Sequence, residues 1–408
     1  MPEQPHEHPT ESDPPIEADR QTPEVSGDST DDAFDGQAVL SPEALEEAKR
    51  YGRLDLVTSL ADKALDLAFL SVAAFWLAGP LTAWLRGFGF LSAHPPWQVV
   101  ALYVIVLGLH MAISFPLSYY RGFVLEHQFG LSRQSPRAWL WRYAKQGVLA
   151  GGFGILFFLM IFWLIWNVGA MWWLAAAVAF FFISVLLGQL LPVVVVPLFY
   201  RVERLDAPEL TERLARLAER TGLNLQGVYR IDISAETVKA NAMLAGLGRT
   251  RRVLLGDTLL DRFTHDEIEV IFAHEVGHHV HRHIPKLMAI GGLFSLVGFG
   301  LCDVALMAYS GPVTYSDVPP SALPLLMLVI TLFSMLMEPL QNVISRHFER
   351  QCDRYALERT GMRAAYRAAF RKLARLNKDD PAPNPVTVFL FHSHPPIGER
   401  LAMADGAE

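Results

Sequence analysis

Between residues 273 and 283 the chain reads AHEVGHHVHRH, five histidines and one glutamate in eleven positions. On a helix, residues four apart project from one face, so His274 and His278 can present their imidazoles to a single ion. Glu275 is poorly placed to ligate that ion, but its carboxylate can reach a water held there. Zinc lowers the pKa of such a water towards neutrality, and a neighbouring carboxylate can take its proton, which is chemistry suited to hydrolysing a peptide carbonyl. The motif alone is a modest signal in a chain with 14 histidines, and its weight comes from its surroundings. His279, His281 and His283 fall on other faces, near a helix C-terminus where cations are favoured, and are expected to be solvated or interfacial.

A catalytic zinc takes three protein ligands and keeps one position open. The third is sought in NVISRHFERQCDRYALE (342–358), where Glu349 and Asp353 are four apart and share a helix face. Glu349 is the candidate ligand, and Asp353 could accept the N–H of a ligating imidazole. An ordinary charged helix, with Glu349 paired to Arg346 or Asp353 to Arg350, fits the spacing equally well.

The elements that must position these groups are legible around them. Thr264 followed by Glu267 is a capping-box pattern, with Asp266 and Glu267 in a first turn that favours acid. HEVGH therefore lies on a helix of four or five turns. Upstream, APELTERLARLAERTGLN reads as an amphipathic helix with Leu210, Leu214 and Leu217 on one face, ended by Gly222. VYRIDIS reads as a strand, and KANAMLAG and RVLLGDTLL as a hairpin about the turn GLGRT. The edge of that hairpin could hold an extended peptide by β-augmentation.

The rest of the chain is of a different kind. Hydrophobic residues make up 51% and charged residues 19%, and the apolar ones gather into six runs: 67–85, 97–119, 147–165, 171–198, 287–307 and 322–344. Runs of about 18 or more such residues cross a bilayer as helices, so the sequence describes a multi-pass membrane protein. Trp84, Trp97, Tyr119, Trp141, Trp172 and Tyr200 stand near run ends, where amphipathic rings favour the interface. Arg121, Arg133, Arg137, Arg142 and Lys145 crowd one linker, whereas 91–96, 166–170 and 308–321 carry no Lys or Arg. The positive-inside tendency then puts both termini, the 120–146 linker and 199–286 in the cytoplasm.

The net charge of −7 is misleading, since much of the acid lies in the first forty residues. That stretch is Pro-rich and poor in aromatics, and is expected to be a disordered tail with no signal-peptide character. No basic patch argues for nucleic acid. The two cysteines, Cys302 and Cys352, do not suggest a disulfide framework. His110, Gln189, Asp303 and Glu338 interrupt apolar runs and should face a cavity or a neighbouring helix.

At these residues the chain resembles the CAAX prenyl protease 1 family of integral-membrane zinc metalloproteases. The resemblance rests on FVLEHQFGLSRQSP (123–136), PLFYR (197–201), KANAMLAGLGRTRRVLLGDTLL (239–260), AHEVGHHVHRH, SRHFERQCDRYAL (345–357) and SHPPIGERL (393–401), and covers about 42–402. With the six runs read above, it implies an α-helical multi-pass membrane protein, about six spans around a chamber, with a small α+β zincin-like catalytic domain and one zinc ion. It implies Glu349 as third ligand, Asp353 as the acid behind it, and Asn241 on the substrate-binding edge. His394 is implied as a donor to the charge developing on the tetrahedral intermediate. Family members with seven spans carry one more than the six read here, and Cys352 stands where a small residue is common.

The expected organisation is a tail (1–40), four spans (41–200), a cytoplasmic zincin-like domain (201–283), two spans (284–344) and C-terminal helices completing the zinc site (345–408). The leading reading is a zinc endopeptidase acting near the cytoplasmic face on peptides, prenylated or hydrophobic. The setting would be a bacterial inner membrane, or the endoplasmic reticulum in a eukaryote. A broad quality-control metalloprotease is a second reading, less favoured by FVLEHQFG and SHPPIGER. A site-2 type intramembrane protease would place HExxH within an apolar span, unlike HDEIE and HRH here. A scaffold or transporter with a structural metal would need no Glu275.

Overall fold

The computed structural model describes residues 39–406 except 220, 224, 247–250 and 312, and only the backbone of Leu191. The acidic stretch through residue 38 and most of the GLGRT turn lie outside the described residues.

Among these residues, five continuous helical runs are long and apolar enough to cross a membrane: Pro42–Arg86, Pro95–Gln128, Pro136–Phe199, His283–Ser310 and Pro320–Thr360. The first consists of α1 (Pro42–Val72), a π-helical turn at Ala73–Leu77 and a continuation to Arg86. Ser41 starts it, its hydroxyl accepting from Ala44 N, with Pro42 in the first turn where no N–H is needed. The second run contains α2 (Pro95–Tyr119). The third is broken at Gly169, whose φ of 68° suits glycine, into α3 (Pro136–Val168) and α4 (Trp172–Leu190). The two fold back on each other, with Phe157 and Phe180 rings 6.0 Å apart. Five runs thus supply the six apolar helices expected.

These helices share one core, to which Phe69, Leu102, Phe162, Trp172, Phe299, Cys302 and Leu326 contribute. Trp76, Trp84, Trp141 and Trp163 are exposed on the outside, as lipid-facing rings would be. Trp172 is not an interface ring: it is fully buried, and its indole N–H donates to Asp303 (2.7 Å). His110 meets Asp66 (2.7 Å) and Glu338 meets Lys63 (2.6 Å), so polar groups within the spans find partners on other helices. Gln189 is exposed.

Between the fourth and fifth apolar helices lies a four-stranded sheet of order β1-β2-β4-β3. β1 (Val202–Arg204) is antiparallel to β2 (Gly227–Ile231), which runs parallel to β4 (Arg252–Gly256). β4 pairs antiparallel with β3 (Ala242–Ala245), which forms one edge. Helix α5 (Pro208–Glu219) packs Leu210, Leu214 and Leu217 into the sheet's core. After β4 come the short α6 (Asp257–Leu260) and α7 (His265–Val280). The capping box on α7 is complete: Thr264 Oγ1 accepts from Glu267 N, and Glu267 Oε2 accepts from Thr264 N (2.8 Å). α8 (His283–Ser310) follows after a turn at Arg282, whose φ of 54° is left-handed.

α9 (Leu323–Thr360) is a single helix of 38 residues. Its apolar first half lies among the membrane helices, and its charged second half packs against α7. The chain closes with α10 (Arg363–Asn377), α11 (Pro385–Phe391) and α12 (Ile397–Asp405).

Candidate active site

α7 and the second half of α9 bring together groups 79 positions apart. His274 Nε2 lies 3.1 Å from Glu349 Oε2, and His278 Nε2 lies 3.3 Å from Glu349 Oε1. Two donors at 2.0–2.1 Å from a tetrahedral zinc stand ~3.4 Å apart, so these separations suit a shared ion. The chemistry of the set agrees, because Glu349 Oε2 is buried and accepts no well-aligned hydrogen bond, although His274 Nε2 faces it at 3.1 Å and His394 Nε2 at 3.6 Å. A buried carboxylate oxygen left so is costly unless a cation is its partner. Cys352 Sγ also lies within 4.8 Å of a ring nitrogen of each histidine, but the polar contact it makes is with His283 Nδ1 at 3.6 Å. The orphaned oxygen favours Glu349 as third donor.

Behind His274 the arrangement is charged and buried. Its Nδ1–H donates to Asp353 Oδ1 (2.8 Å), and Arg400 of α12 grips the same carboxylate through Nε (2.9 Å) and Nη2 (2.6 Å). Asp353 is fully buried, and the Arg400 guanidinium lies 4.0 Å from the Phe370 ring centroid. Burial disfavours the His274 imidazolium, but the Asp353 charge outweighs it and raises the pKa to about 9. An imidazole fixed in this way by a carboxylate is a more basic ligand of set orientation.

The stripe of α9 that ends in these acids also holds the loop bearing His394. Asn342 Nδ2 donates to Leu390 O (2.7 Å), and Arg346 Nη1 donates to Val388 O (2.7 Å) and His392 O (2.5 Å). Arg346 is therefore not paired with Glu349. Arg350 pairs with Glu399 (3.0 Å), which leaves Asp353 to His274 and Arg400. His394 Nε2 comes within 3.6 Å of Glu349 Oε2, and its Nδ1 lies 3.0 Å from Ser393 Oγ.

Asn241, His274, Glu275, Glu349 and His394 line one cleft of about 500 Å³. Asn241 directly precedes β3, and its carbonyl accepts from Gly256 N (2.9 Å), so the start of the edge strand borders the cleft. Asp257 secures this corner. Its buried carboxylate accepts from Ile233 N, Ser234 N, Thr258 N and Ser234 Oγ. Burial acts to raise its pKa, but these four donors hold it below the usual carboxylate range.

Among the extra histidines, expected to be solvated or interfacial, His279 and His281 are half-buried and His283 is not solvated. It is buried, stacks on Phe348 at 4.1 Å, and reaches His278. Arg346, Arg400 and His283 are thus contributors that reasoning from spacing did not single out.

A second apolar cavity of about 490 Å³ lies among α3, α4, α8 and α9, lined by Phe157, Phe180, Phe294, Phe299 and Phe333. Ser393 lines both this cavity and the cleft.

The comparisons agree with this geometry. Residues 204–408 match the model of peptidase family M48, and residues 32–201 match that of the CAAX prenyl protease N-terminal region, five membrane helices. The chain is 29% identical to the Bacillus subtilis metalloprotease YhfN over 96% of its own length and 92% of that protein. It is 26% identical to CAAX prenyl protease 1 of Saccharomyces cerevisiae, covering 90% and 86% of the two chains. The crystal structure of S. mikatae Ste24p superposes with a TM-score of 0.80 at 25% identity, over 90% of each chain. The family model that matches half of the chain and the likeness of its fold place the protein in peptidase family M48 as a membrane metalloendopeptidase of the Ste24 type.

Proposed function

We propose that His274, His278 and Glu349 hold one zinc ion and that Glu275 is the general base of peptide hydrolysis. The convergence of three candidate ligand side chains and Glu275 beside the end of a sheet-edge strand carries this reading. Zinc bound there supplies Lewis acidity and a water acidified towards neutrality. Glu275 takes the proton of the attacking water and delivers it to the departing amine. His394 donates from Nε2 to the carbonyl oxygen as negative charge grows on it, and Asn241 holds the peptide backbone at the start of β3. Asp353 keeps the His274 N–H facing away from the ligand side.

The substrate class proposed is a prenylated or otherwise hydrophobic peptide, hydrolysed near the cytoplasmic face. Support comes from the phenylalanine-lined cavity that meets the cleft at Ser393. The division into membrane and cytoplasmic parts at about residues 201, 284 and 345 belongs to the same proposal. So does a bacterial inner membrane as the setting, with both termini cytoplasmic.

The test is cleavage of a farnesylated CAAX peptide by purified protein, against its unprenylated twin and an unfolded membrane protein, with and without a zinc chelator. Chelator-sensitive cleavage restricted to the farnesylated peptide supports the full proposal. Chelator-sensitive cleavage of all three retains the zinc mechanism and replaces the substrate class by a broad one. Cleavage indifferent to the chelator removes the zinc mechanism.

A further inference from the structure

The two imidazoles facing Glu349 are oriented by different means. His274 is held by the Asp353 carboxylate and the Arg400 guanidinium. Among the described residues, His278 meets a histidine on its far side and no acid. Its Nδ1 lies 3.1 Å from Nδ1 of His283, whose Nε2 lies 2.9 Å from Gln351 Oε1, while Gln351 Nε2 lies 3.1 Å from His347 Nε2.

Donor and acceptor chemistry gives this chain one direction. The amide nitrogen of Gln351 can only donate, so it donates to the lone pair of His347 Nε2. The amide oxygen can only accept, so His283 carries its proton on Nε2 and donates to it. A neutral His283 then has a lone pair on Nδ1, which accepts from His278 Nδ1–H. That leaves the lone pair of His278 on Nε2, the atom 3.3 Å from Glu349 Oε1. In the reverse direction the His283 Nε2 lone pair would face the Gln351 oxygen, and His278 Nε2 would carry a proton towards Glu349.

Three surroundings keep the His283 ring in place. It is buried to 1% exposure, stacks on Phe348 with planes 8° apart at 4.1 Å, and has Cys352 Sγ 3.6 Å from Nδ1. A thiol is a weak donor, so its position also suits an accepting Nδ1.

We infer that His283 and Gln351 are positioning residues that fix the metal-binding tautomer of His278 through a neutral hydrogen-bond relay. The inference rests on the proposal that His278 ligates zinc. It adds that one ligand arm is built with charge and the other without. Each arm sets ring orientation, and only the Asp353 arm brings a formal negative charge up to the metal.

The experiment is zinc affinity by competition with a chromophoric chelator, together with the ligand-field spectrum of the cobalt-substituted protein. Wild type is compared with His283→Phe, His283→Gln, Gln351→Leu and His278→Ala. His283→Phe keeps a ring on Phe348 but offers no acceptor, and should bind zinc ~10–100-fold more weakly with an altered cobalt spectrum. His283→Gln, whose carbonyl can accept from His278, should regain most of that affinity. Gln351→Leu leaves the buried ring in place and should lose several-fold, which keeps the idea testable if His283→Phe does not fold. Unchanged affinity and spectrum in His283→Phe or Gln351→Leu would overturn the relay, as would equal losses in His283→Phe and His283→Gln. If His278→Ala binds zinc as tightly as wild type, the ligand assignment itself has failed, a result separate from the relay.

Discussion

Gly277 of α7 and Cys352 of α9 meet almost backbone to backbone: a Cβ on Gly277 would stand 3.0 Å from Cys352 Cα and 3.2 Å from both Cβ and Sγ. This contact sets the distance between the helix carrying both histidines and the helix carrying Glu349. Gly277→Ala should force the pair apart by a few tenths of an ångström and weaken zinc binding about tenfold, within the range seen when ligands lose their supports. Chelator competition checks this, and unchanged affinity would show that the helices are spaced by other contacts.

Glu275→Ala should retain stoichiometric zinc, measured by elemental analysis, while kcat falls ~10²–10⁴-fold, the usual contribution of a general base. Retained activity would remove Glu275 from the mechanism.

His394→Ala should lower kcat ~10²–10³-fold with KM and zinc content nearly unchanged, because a donor to developing charge acts mainly in the transition state. A rise in KM alone would reassign His394 to substrate binding.

Arg400→Leu leaves the buried Asp353 carboxylate without its cation. Breaking a buried pair in this way costs about 3–5 kcal/mol, so the protein should melt earlier and bind zinc more weakly. Asp353→Asn combined with Arg400→Leu should recover part of the stability. A double variant no more stable than the single one would argue against an uncompensated charge as the cause.

Asp257 predicts a pH dependence whose sign follows from its depressed pKa. Its stabilising contribution is fully present above the unfolded carboxylate value of ~3.9 and is lost as pH falls through the lower folded value. Asp257→Ala should destabilise the sheet by about 3 kcal/mol at neutral pH. Thermal melts at pH 7 and pH 3 should show the gap between variant and wild type narrowing at the acid end. A constant gap would mean that the carboxylate is not the stabilising form.

Much of this was readable in the chain. The spacing of His274 and His278 fixes their common face because a helix relates residues four apart, and the α7 capping box is similarly local. Glu349 is on a readable face of α9, but spacing could not separate a ligand from a partner of Arg346. The partners of Arg346 are carbonyls 42 and 46 positions away, fixed only when α11 docks. Trp172 sits at the end of an apolar run, as an interface ring would, and burial among neighbouring helices overrides that position. His283 was misplaced for a geometric reason. α7 stops at Val280 and Arg282 turns left-handed, so assigning faces by continuing the helix fails two residues before His283.

The continuous course of α9 from the apolar core to Glu349 gives it the shape of a lever. From Leu325, in the apolar core, to Glu349 the helix extends ~36 Å at 1.5 Å per residue, so a one-degree tilt displaces the carboxylate by ~0.6 Å. Metal–ligand distances tolerate only ~0.2 Å. A tilt pivoting at the membrane end would therefore reach Glu349 amplified, and the Gly277–Cys352 contact, three residues beyond that carboxylate, is the brake that opposes it.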